Sequence, residues 1–128
     1  MKVMVATDGK AHSDKAIQTG LSYSKAFGAK LYVLYVIEPR KENYKTRELK
    51  NGIKALEKAK NRGAEEGVEV VTMMEAGEPS KKILDLSNEI EADVLVVGTS
   101  YQKGFHLLSR TLPEIVIRES TCTVIVAK

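Results

Sequence analysis

Two segments of the chain combine glycine, hydroxyl and charged residues in the pattern of anion-binding loops. The first, Asp8–Ser13, follows an apolar run and places a carboxylate and a glycine before a helix start. The second, Gly98–Thr111, contains two glycines, several hydroxyls and Arg110. Backbone N–H groups that lead into a helix N-terminus lack partners within the helix and attract anions. The two segments predict a polar site with Asp8 as an anchor and with Arg110 and Thr111 beside a bound phosphate.

Each loop also has a purely structural interpretation, and the residues alone leave both interpretations open. In the first loop, Asp8 would only order its own turn by accepting backbone N–H bonds. In the second, Arg110 would point to solvent. His106 and Lys103 are interpreted as surface residues, and no Ser-His-Asp, Cys-His or paired-carboxylate arrangement can be assembled, so we assign no catalytic residue.

Two common phosphate chemistries are excluded by the motifs they need. The sequence has neither the glycine and lysine spacing of a P-loop nor three clustered glycines after its first apolar run, which excludes ATP hydrolysis by a P-loop. A phosphate-accepting response regulator would use Asp8 in an acidic magnesium site. The run that ends in Met73-Met74-Glu75-Ala76 lacks the acceptor aspartate, so only an analogy of fold would support that function.

Length and composition predict one globular, cytoplasmic domain over residues 1–128. No apolar run approaches the roughly 20 residues that a membrane span requires, and Met1-Lys2-Val3 leads directly into a strand-like segment, so we expect neither a span nor a signal peptide. The single cysteine, Cys122, and two histidines make a metal site or an intrachain disulfide unexpected. The net charge of +3 is too small to indicate nucleic-acid binding.

Short apolar runs alternate with helical patterns along the whole chain. The predicted strands are Lys2–Thr7, Leu31–Ile37, Val68–Met74, Val94–Val97 and Val124–Ala127. The predicted helices run over about Ser13–Phe27 and Lys45–Glu66, from the turn at Gly77 and Pro79 through Ile90, and from Thr111, which can cap the last helix, to about Glu119. This alternation predicts a doubly wound α/β fold, a parallel sheet with helices on both faces. Ligands of such sheets bind beyond the carboxyl ends of the strands, which is where both polar loops lie.

Capping and periodicity predict which helix faces are buried. Ser13 occupies the N-cap position of the first helix and Gly28 its stop, with Ile17, Leu21 and Phe27 on the buried stripe. The buried stripe of the second helix is predicted to contain Leu49, Ile53, Leu56, Ala59 and Gly63. We interpret the many lysines of that helix as a solvated face, because glutamates share it.

Five segments of the sequence resemble the universal stress protein family, and together they cover essentially the whole chain. They are Val3–Gly9 with Ser13, Leu34–Pro39, Gly77-Glu78-Pro79 before Ile83, Ala92–Thr99, and Thr121–Val126. The resemblance implies a strand order of 3-2-1-4-5 and a homodimer formed through the last strand, Val124–Ala127. Unpaired N–H and C=O groups at a sheet edge give such pairing its physical reason.

The resemblance also implies a regulatory or stress-response role and an adenine nucleotide, AMP or ATP, with magnesium where ATP binds. The base would lie near Val36 and the ribose near Asp8, between the first and fourth strands, with at most weak ATP hydrolysis. The implied nucleotide-binding residues are Ala6, Thr7, Asp8, Val36, Val97, Gly98, Thr99, Arg110, Thr111 and Leu112.

The phosphate-binding pattern of the family is only partly kept. Nucleotide-binding members carry glycine, two residues, glycine, nine residues, glycine, then serine or threonine. Gly98 matches the first glycine, but Tyr101 occupies the second position, where a side chain obstructs close approach of phosphate to backbone. With Thr111 as the terminal hydroxyl the loop is one residue shorter, and Arg110 replaces the third glycine. The alternative is a family member that binds no nucleotide and acts only through protein contacts.

Overall fold

The computed structural model of the chain describes residues 1–38, 44–99 and 111–128. In this part of the chain the strands are β1 (Lys2–Thr7), β2 (Lys30–Ile37), β3 (Val70–Ala76), β4 (Val94–Gly98) and β5 (Thr123–Ala127). The helices are α1 (Asp14–Phe27), α2 (Tyr44–Glu66), α3 (Pro79–Glu89) and α4 (Leu112–Glu119), and a 3-10 turn over Ala11–Ser13 precedes α1.

The five strands form one parallel sheet in the order β3-β2-β1-β4-β5. The register sets Val5 beside Val33 on one side and beside Val96 on the other. Both the predicted doubly wound fold and the strand order implied by the family resemblance are confirmed. The central strands are apolar over their whole length because helices cover the sheet on both faces.

Two apolar clusters lie on opposite faces of the sheet. On one face, α1 and α2 pack through residues such as Ile17, Leu21 and Leu56 against Val5 and Val33. On the other face, α3 and α4 pack against β1, β2 and β4, through a cluster that includes Met4, Leu34, Ile83, Leu95 and Val116. Since consecutive strand residues point to opposite faces, each central strand contributes to both clusters.

The third strand begins later than predicted, at Val70 instead of Val68. Gly67 has a φ of 73°, and the N–H of Val68 donates to the carbonyl of Gly63 at 2.8 Å. This is the left-handed closure that commonly ends helices, and it uses the residue after the glycine. Val68 therefore completes the end of α2 before the strand can start.

The predicted buried stripe of α2 is wrong at two positions. Leu49 and Ile53 are 45% and 47% exposed, whereas Leu56, Ala59 and Gly63 are buried as predicted. Gly52 faces the sheet instead, where a Cβ would lie 2.6 Å from Met74 Cε. The small residues of α2 allow its backbone to lie close to the sheet, and this rotates the two larger residues outward.

Phe27 is also more exposed than predicted, at 60%, although Ile17 and Leu21 are buried. Its ring packs instead against Tyr23, with 5.8 Å between the ring centroids. The helix ends directly after Phe27 at Gly28, whose φ of 62° is left-handed, as the predicted stop requires. Among the described residues, no helix is both long enough and apolar enough to cross a membrane.

Candidate functional site at the carboxyl ends of the strands

Three of the predicted site residues are the second-last residues of their strands. They are Ala6 of β1, Val36 of β2 and Val97 of β4, and all three belong to the apolar cluster on the α3 and α4 face. Leu112, the first residue of α4, joins the same cluster. Val97 is buried, and the other three are half-buried. The fold therefore brings these four residues to one apolar surface at the carboxyl ends of the strands.

A chain of hydroxyl groups holds the loop between β1 and α1. The N–H of Gly9 donates to Thr7 Oγ1 at 3.0 Å, and Thr7 Oγ1 lies 2.7 Å from Ser13 Oγ. The Ser13 hydroxyl donates its single proton to the carbonyl of Lys10 at 2.8 Å, so Thr7 must be the donor in the hydroxyl pair. Thr7 and Ser13 are both buried. The loop is therefore tied internally at both of its ends.

The structure gives Ser13 a different role from the one its position suggests. Ser13 is the N-cap residue of α1, but its side chain makes no capping hydrogen bond. The preceding 3-10 turn gives Ser13 helical backbone angles, φ −86° and ψ −8°, and its hydroxyl is used by Thr7 and Lys10. Ser13 therefore stands at the predicted N-cap position, but its side chain does not make the capping hydrogen bond that this position predicts.

Asp8 lies at the tip of β1 and is exposed. Its Oδ1 accepts the N–H of Lys10 at 2.9 Å, which is the loop-ordering bond of the structural interpretation. Because a carboxylate has two oxygens and about four acceptor positions, accepting the Lys10 N–H does not by itself exclude a ligand hydroxyl as a further donor. Loop ordering and ligand binding by Asp8 are compatible with each other.

Tyr35 and Glu48 form a contact beneath this loop that the sequence did not indicate. Tyr35 is 1% exposed, and its hydroxyl donates to Glu48 Oε2 at 2.6 Å. A Cβ at Gly9 would lie 3.5 Å from the Tyr35 ring and 3.3 Å from Ala55. The tyrosine ring therefore supports the loop from below and ties β2 to the first turns of α2. The only sequence signal was a glutamate within a lysine-rich helix.

At the end of β4, Gly98 and Thr99 are half-buried, and the N–H of Thr99 donates to the carbonyl of Ala127 at 3.2 Å. Thr111 is exposed and caps α4, with its Oγ1 accepting the N–H of Glu114 at 3.4 Å, as predicted. Arg110, with Tyr101, Lys103 and His106, lies outside the described residues. The predicted phosphate half of the site is therefore described only at its two borders.

A small polar cavity of about 30 Å³ lies between α2 and the loop that joins β1 to α1. Lys10, Lys58 and Arg62 line it, together with Asp14. Arg62 bridges the two helices, because its guanidinium lies 3.6 Å from Asp14 Oδ1 and also donates to Gln18. The cavity has room for about one water molecule. It lies on the α1 and α2 face, opposite the surface formed by Ala6, Val36, Val97 and Leu112.

Comparisons with known proteins agree on one family. Universal stress protein MJ0531 of Methanocaldococcus jannaschii is 30% identical over 138 residues, which cover 99% of this chain and 81% of the relative. A crystal structure of a universal stress protein in complex with cAMP aligns with a TM-score of 0.85 and 25% identity, over 100% of this chain and 97% of that chain.

A universal stress protein family protein of Arabidopsis thaliana, At3g01520 with AMP bound, has the same fold. It aligns with a TM-score of 0.74 and 23% identity over 100% of this chain and 90% of that chain. The sequence pattern of the universal stress protein family matches residues 1–128, from the first strand to the last. With the parallel sheet and its strand order, these matches show that the chain belongs to the universal stress protein family.

Proposed function

We propose that this protein is a cytoplasmic stress-response regulator that acts as one domain over residues 1–128 and binds an adenine nucleotide, AMP or ATP. The observation that carries the proposal is the apolar surface formed by Ala6, Val36, Val97 and Leu112 beside Asp8. Apolar lining with a few placed polar groups is typical of small-molecule sites. The cAMP and AMP complexes of proteins with this fold support the choice of ligand.

The base would lie against Val36 and Ala6, and the ribose hydroxyls would donate to Asp8. The phosphate would lie toward Gly98, Thr99, Arg110, Thr111 and the start of α4, with magnesium accompanying ATP. The N-terminus of α4 has a partial positive charge that favours an anion there. Thr7 would act through the backbone, because its hydroxyl already bonds Gly9 and Ser13.

Calorimetric titration with AMP and with ATP tests this placement. We expect Asp8→Ala to weaken nucleotide binding by about 1–3 kcal/mol, the range for loss of a charge-assisted hydrogen bond. Asp8→Asn keeps an acceptor for Lys10 and removes the charge, so it separates ligand binding from loop ordering. Asp14→Ala is the matched control, because this exposed carboxylate lies on the opposite side of the loop, near Arg62.

Two outcomes would contradict the proposal. If nucleotide binds and both Asp8 variants bind it as tightly as the unaltered protein, the ribose is not at Asp8. If neither nucleotide binds and none is released from the purified protein in mass spectrometry, the function through protein contacts alone is favoured. The second outcome agrees with the observation that Thr7, Ser13 and Asp8 already bond within their own loop.

The proposed active form is a homodimer joined through β5. This strand is the last in the sheet order, and Val124, Ile125 and Val126 are half-buried in the single chain. A half-buried apolar edge strand can pair with a copy of itself and lose its exposed apolar surface.

We expect Ile125→Pro to abolish the dimer, because proline removes a backbone donor of β5 and distorts the strand that would pair with its copy. Light scattering gives the mass, and circular dichroism checks that the fold remains. Ile125→Val is the control that keeps the backbone donor. A dimer that persists in a folded Ile125→Pro protein would refute the interface.

A further inference from the structure

The ring of Tyr35 lies between two glycines that belong to different elements. A Cβ at Gly52 of α2 would lie 2.8 Å from Tyr35 Cδ1, and a Cβ at Gly9, in the loop between β1 and α1, would lie 3.5 Å from Tyr35 Cε2. These two ring atoms are on opposite edges of the ring. The backbone of the helix and the backbone of the loop therefore pack against the same side chain from two sides.

Burial and a hydrogen bond hold this ring in place. Tyr35 is 1% exposed, and its hydroxyl donates to Glu48 Oε2 at 2.6 Å. Glu48 lies one turn before Gly52 on the same helix. Hydrogen bonds to a carboxylate are shorter and stronger than those between neutral groups. The ring is therefore fixed at one end by its strand and at the other by α2.

The loop that rests on this ring carries Asp8. Asp8 directly precedes Gly9, and its Oδ1 accepts the N–H of Lys10 at 2.9 Å, so the carboxylate belongs to the same turn. Gly9 has a left-handed φ of 77°, a conformation that residues other than glycine rarely adopt. A displacement of the Gly9 backbone would therefore displace the carboxylate of Asp8.

Tyr35 lies on the face of the sheet opposite to the proposed position of the base. Its side chain belongs to the apolar cluster on the α1 and α2 face, whereas Ala6, Val36 and Val97 belong to the cluster on the α3 and α4 face. Consecutive residues of a strand point to opposite faces, so Tyr35 cannot share the contact of Val36 with the base. An effect of Tyr35 on the nucleotide would therefore pass through the loop.

We propose that Tyr35 and Glu48 are positioning residues for the nucleotide site. Together they hold the loop so that Asp8 meets the ribose hydroxyls, and the inference rests on the proposed function because it needs the ribose at Asp8. A group that is already in place binds more tightly, since the cost of ordering it is not met on binding. The affinity for AMP is then set in part by a helix on the other face of the sheet.

Calorimetric titration with AMP tests the pair, at a temperature where every variant is fully folded. Tyr35→Phe keeps the ring and removes the hydroxyl, and we expect about three- to ten-fold weaker binding, in the lower part of the range for coupled neighbours. Glu48→Ala should have the same effect. Glu48→Gln should restore most of the affinity, because its carbonyl oxygen can still accept the tyrosine proton. Glu57→Ala, an exposed glutamate of the same helix, is the control and should leave the affinity unchanged.

A double-mutant cycle tests whether the effect passes through Asp8. In the Asp8→Ala background, Tyr35→Phe should leave the remaining affinity nearly unchanged, because no carboxylate is left to position. An AMP analogue without the 2′ and 3′ hydroxyls makes the same test from the ligand side, and it should bind the Tyr35→Phe and unaltered proteins about equally. A purely structural role of Tyr35 would instead weaken every ligand in both backgrounds.

Amide hydrogen exchange tests the loop without a ligand. The N–H groups of Gly9 and Lys10 both bond within the loop, to Thr7 Oγ1 and to Asp8 Oδ1. Tyr35→Phe should speed the exchange of these two amides relative to the amides of β1, because the loop opens locally. Unchanged exchange at both amides would overturn the proposal.

The failure of this inference and the failure of the proposed function give different results. If AMP binds and Asp8→Ala weakens it but Tyr35→Phe does not, the positioning role is refuted and the proposed function stands. Strictly additive effects of Tyr35→Phe and Asp8→Ala would refute it in the same way. If the unaltered protein binds no AMP, or binds it equally well without the Asp8 carboxylate, the proposed placement fails and the positioning role fails with it.

Discussion

Ser13 and Ser24 lie near opposite ends of α1 and are both buried, but their hydroxyl groups differ in hydrogen bonding. Ser13 lies where the strands have their carboxyl ends, here called the carboxyl edge, and it contacts Thr7 Oγ1 and the carbonyl of Lys10. Ser24 lies where the strands have their amino ends, here called the amino edge, and its hydroxyl has no hydrogen-bond partner among the described residues. One hydroxyl builds the local structure, and the other is buried without a hydrogen bond to any described residue.

Other residues at the two edges differ in hydrogen bonding in the same way. At the carboxyl edge, Asp8 and Thr7 accept N–H groups of their own loop, and Glu78 accepts N–H groups of the first turn of α3. At the amino edge, the backbone is closed on itself by Gly28 and Gly67, and the lysine side chains extend around a cavity. Polar groups thus shape the first edge, whereas backbone closure shapes the second and leaves its side chains for other contacts.

The largest effect on stability should come from Ser13→Ala. The substitution leaves the buried Thr7 hydroxyl without its acceptor, and we expect a loss of about 2 kcal/mol in the free energy of unfolding. Urea unfolding at a fixed protomer concentration measures the loss. In a double-mutant cycle with Thr7→Val, the two losses should overlap by about 1 kcal/mol, because one hydrogen bond is removed by either change.

A stabilising Ser13→Ala would abolish the contrast with Ser24. The same would follow if the two losses were strictly additive, since Thr7 and Ser13 would then be independent of each other.

The architecture was accessible from sequence because its strands are short apolar runs between clear stop signals. Asp8-Gly9 ends β1, Gly28 ends α1, and Thr111 caps α4, each as predicted. The orientation of α2 was not accessible. Helical periodicity places Leu49 and Ile53 beside Leu56, but the close approach of Gly52 to Tyr35 and Met74 decides which side faces the sheet.

The residues of the carboxyl edge could be predicted from the sequence to a greater extent than those of the amino edge. The residues of the carboxyl edge follow strand ends, and the topology of a parallel sheet brings them together. The direction of the Thr7 and Ser13 hydrogen bonds depends on a 3-10 turn that the sequence did not indicate. The amino-edge cavity joins Ser24, Lys30 and Glu69, which are far apart in sequence and carry no motif, so only the folded chain reveals it.

The second-largest effect on stability should come from Glu78→Ala at the carboxyl edge. Burial tends to raise the pKa of Glu78, but hydrogen bonds from the Ser80 hydroxyl and from the Lys81 and Ser80 amides outweigh it, so the pKa is lowered. Glu78 is the N-cap of α3, and its loss should cost about 1 kcal/mol at neutral pH.

The pH dependence of this loss follows from the direction of the shift. A carboxylate whose pKa is lowered by folding stabilises the protein above its unfolded pKa, and the contribution disappears as the pH falls through the folded pKa. The difference between Glu78→Ala and the unaltered protein should therefore shrink in acid. Glu89→Ala, at the other end of the same helix, is the control. A loss that stays constant into acid would show that the charge of Glu78 does not contribute.

The smallest effect on stability should come from Lys30→Gln at the amino edge. The side chains of Lys30 and Glu69 are 49% and 66% exposed, so water and salt screen their attraction. Folding raises the pKa of Lys30 through the Glu69 hydrogen bond, so the pair contributes at neutral pH and is lost as the pH rises through the folded pKa of the lysine.

Lys30→Gln should therefore leave the urea midpoint nearly unchanged at neutral pH, and 1 M NaCl should remove what difference there is. An exposed ion pair that contributes little to stability is what separates Lys30 at the amino edge from Glu78 at the carboxyl edge. If Lys30→Gln instead shifts the urea midpoint as far as Glu78→Ala, the Lys30–Glu69 pair contributes as much to stability as the Glu78 cap does, and the contrast between the two edges fails there.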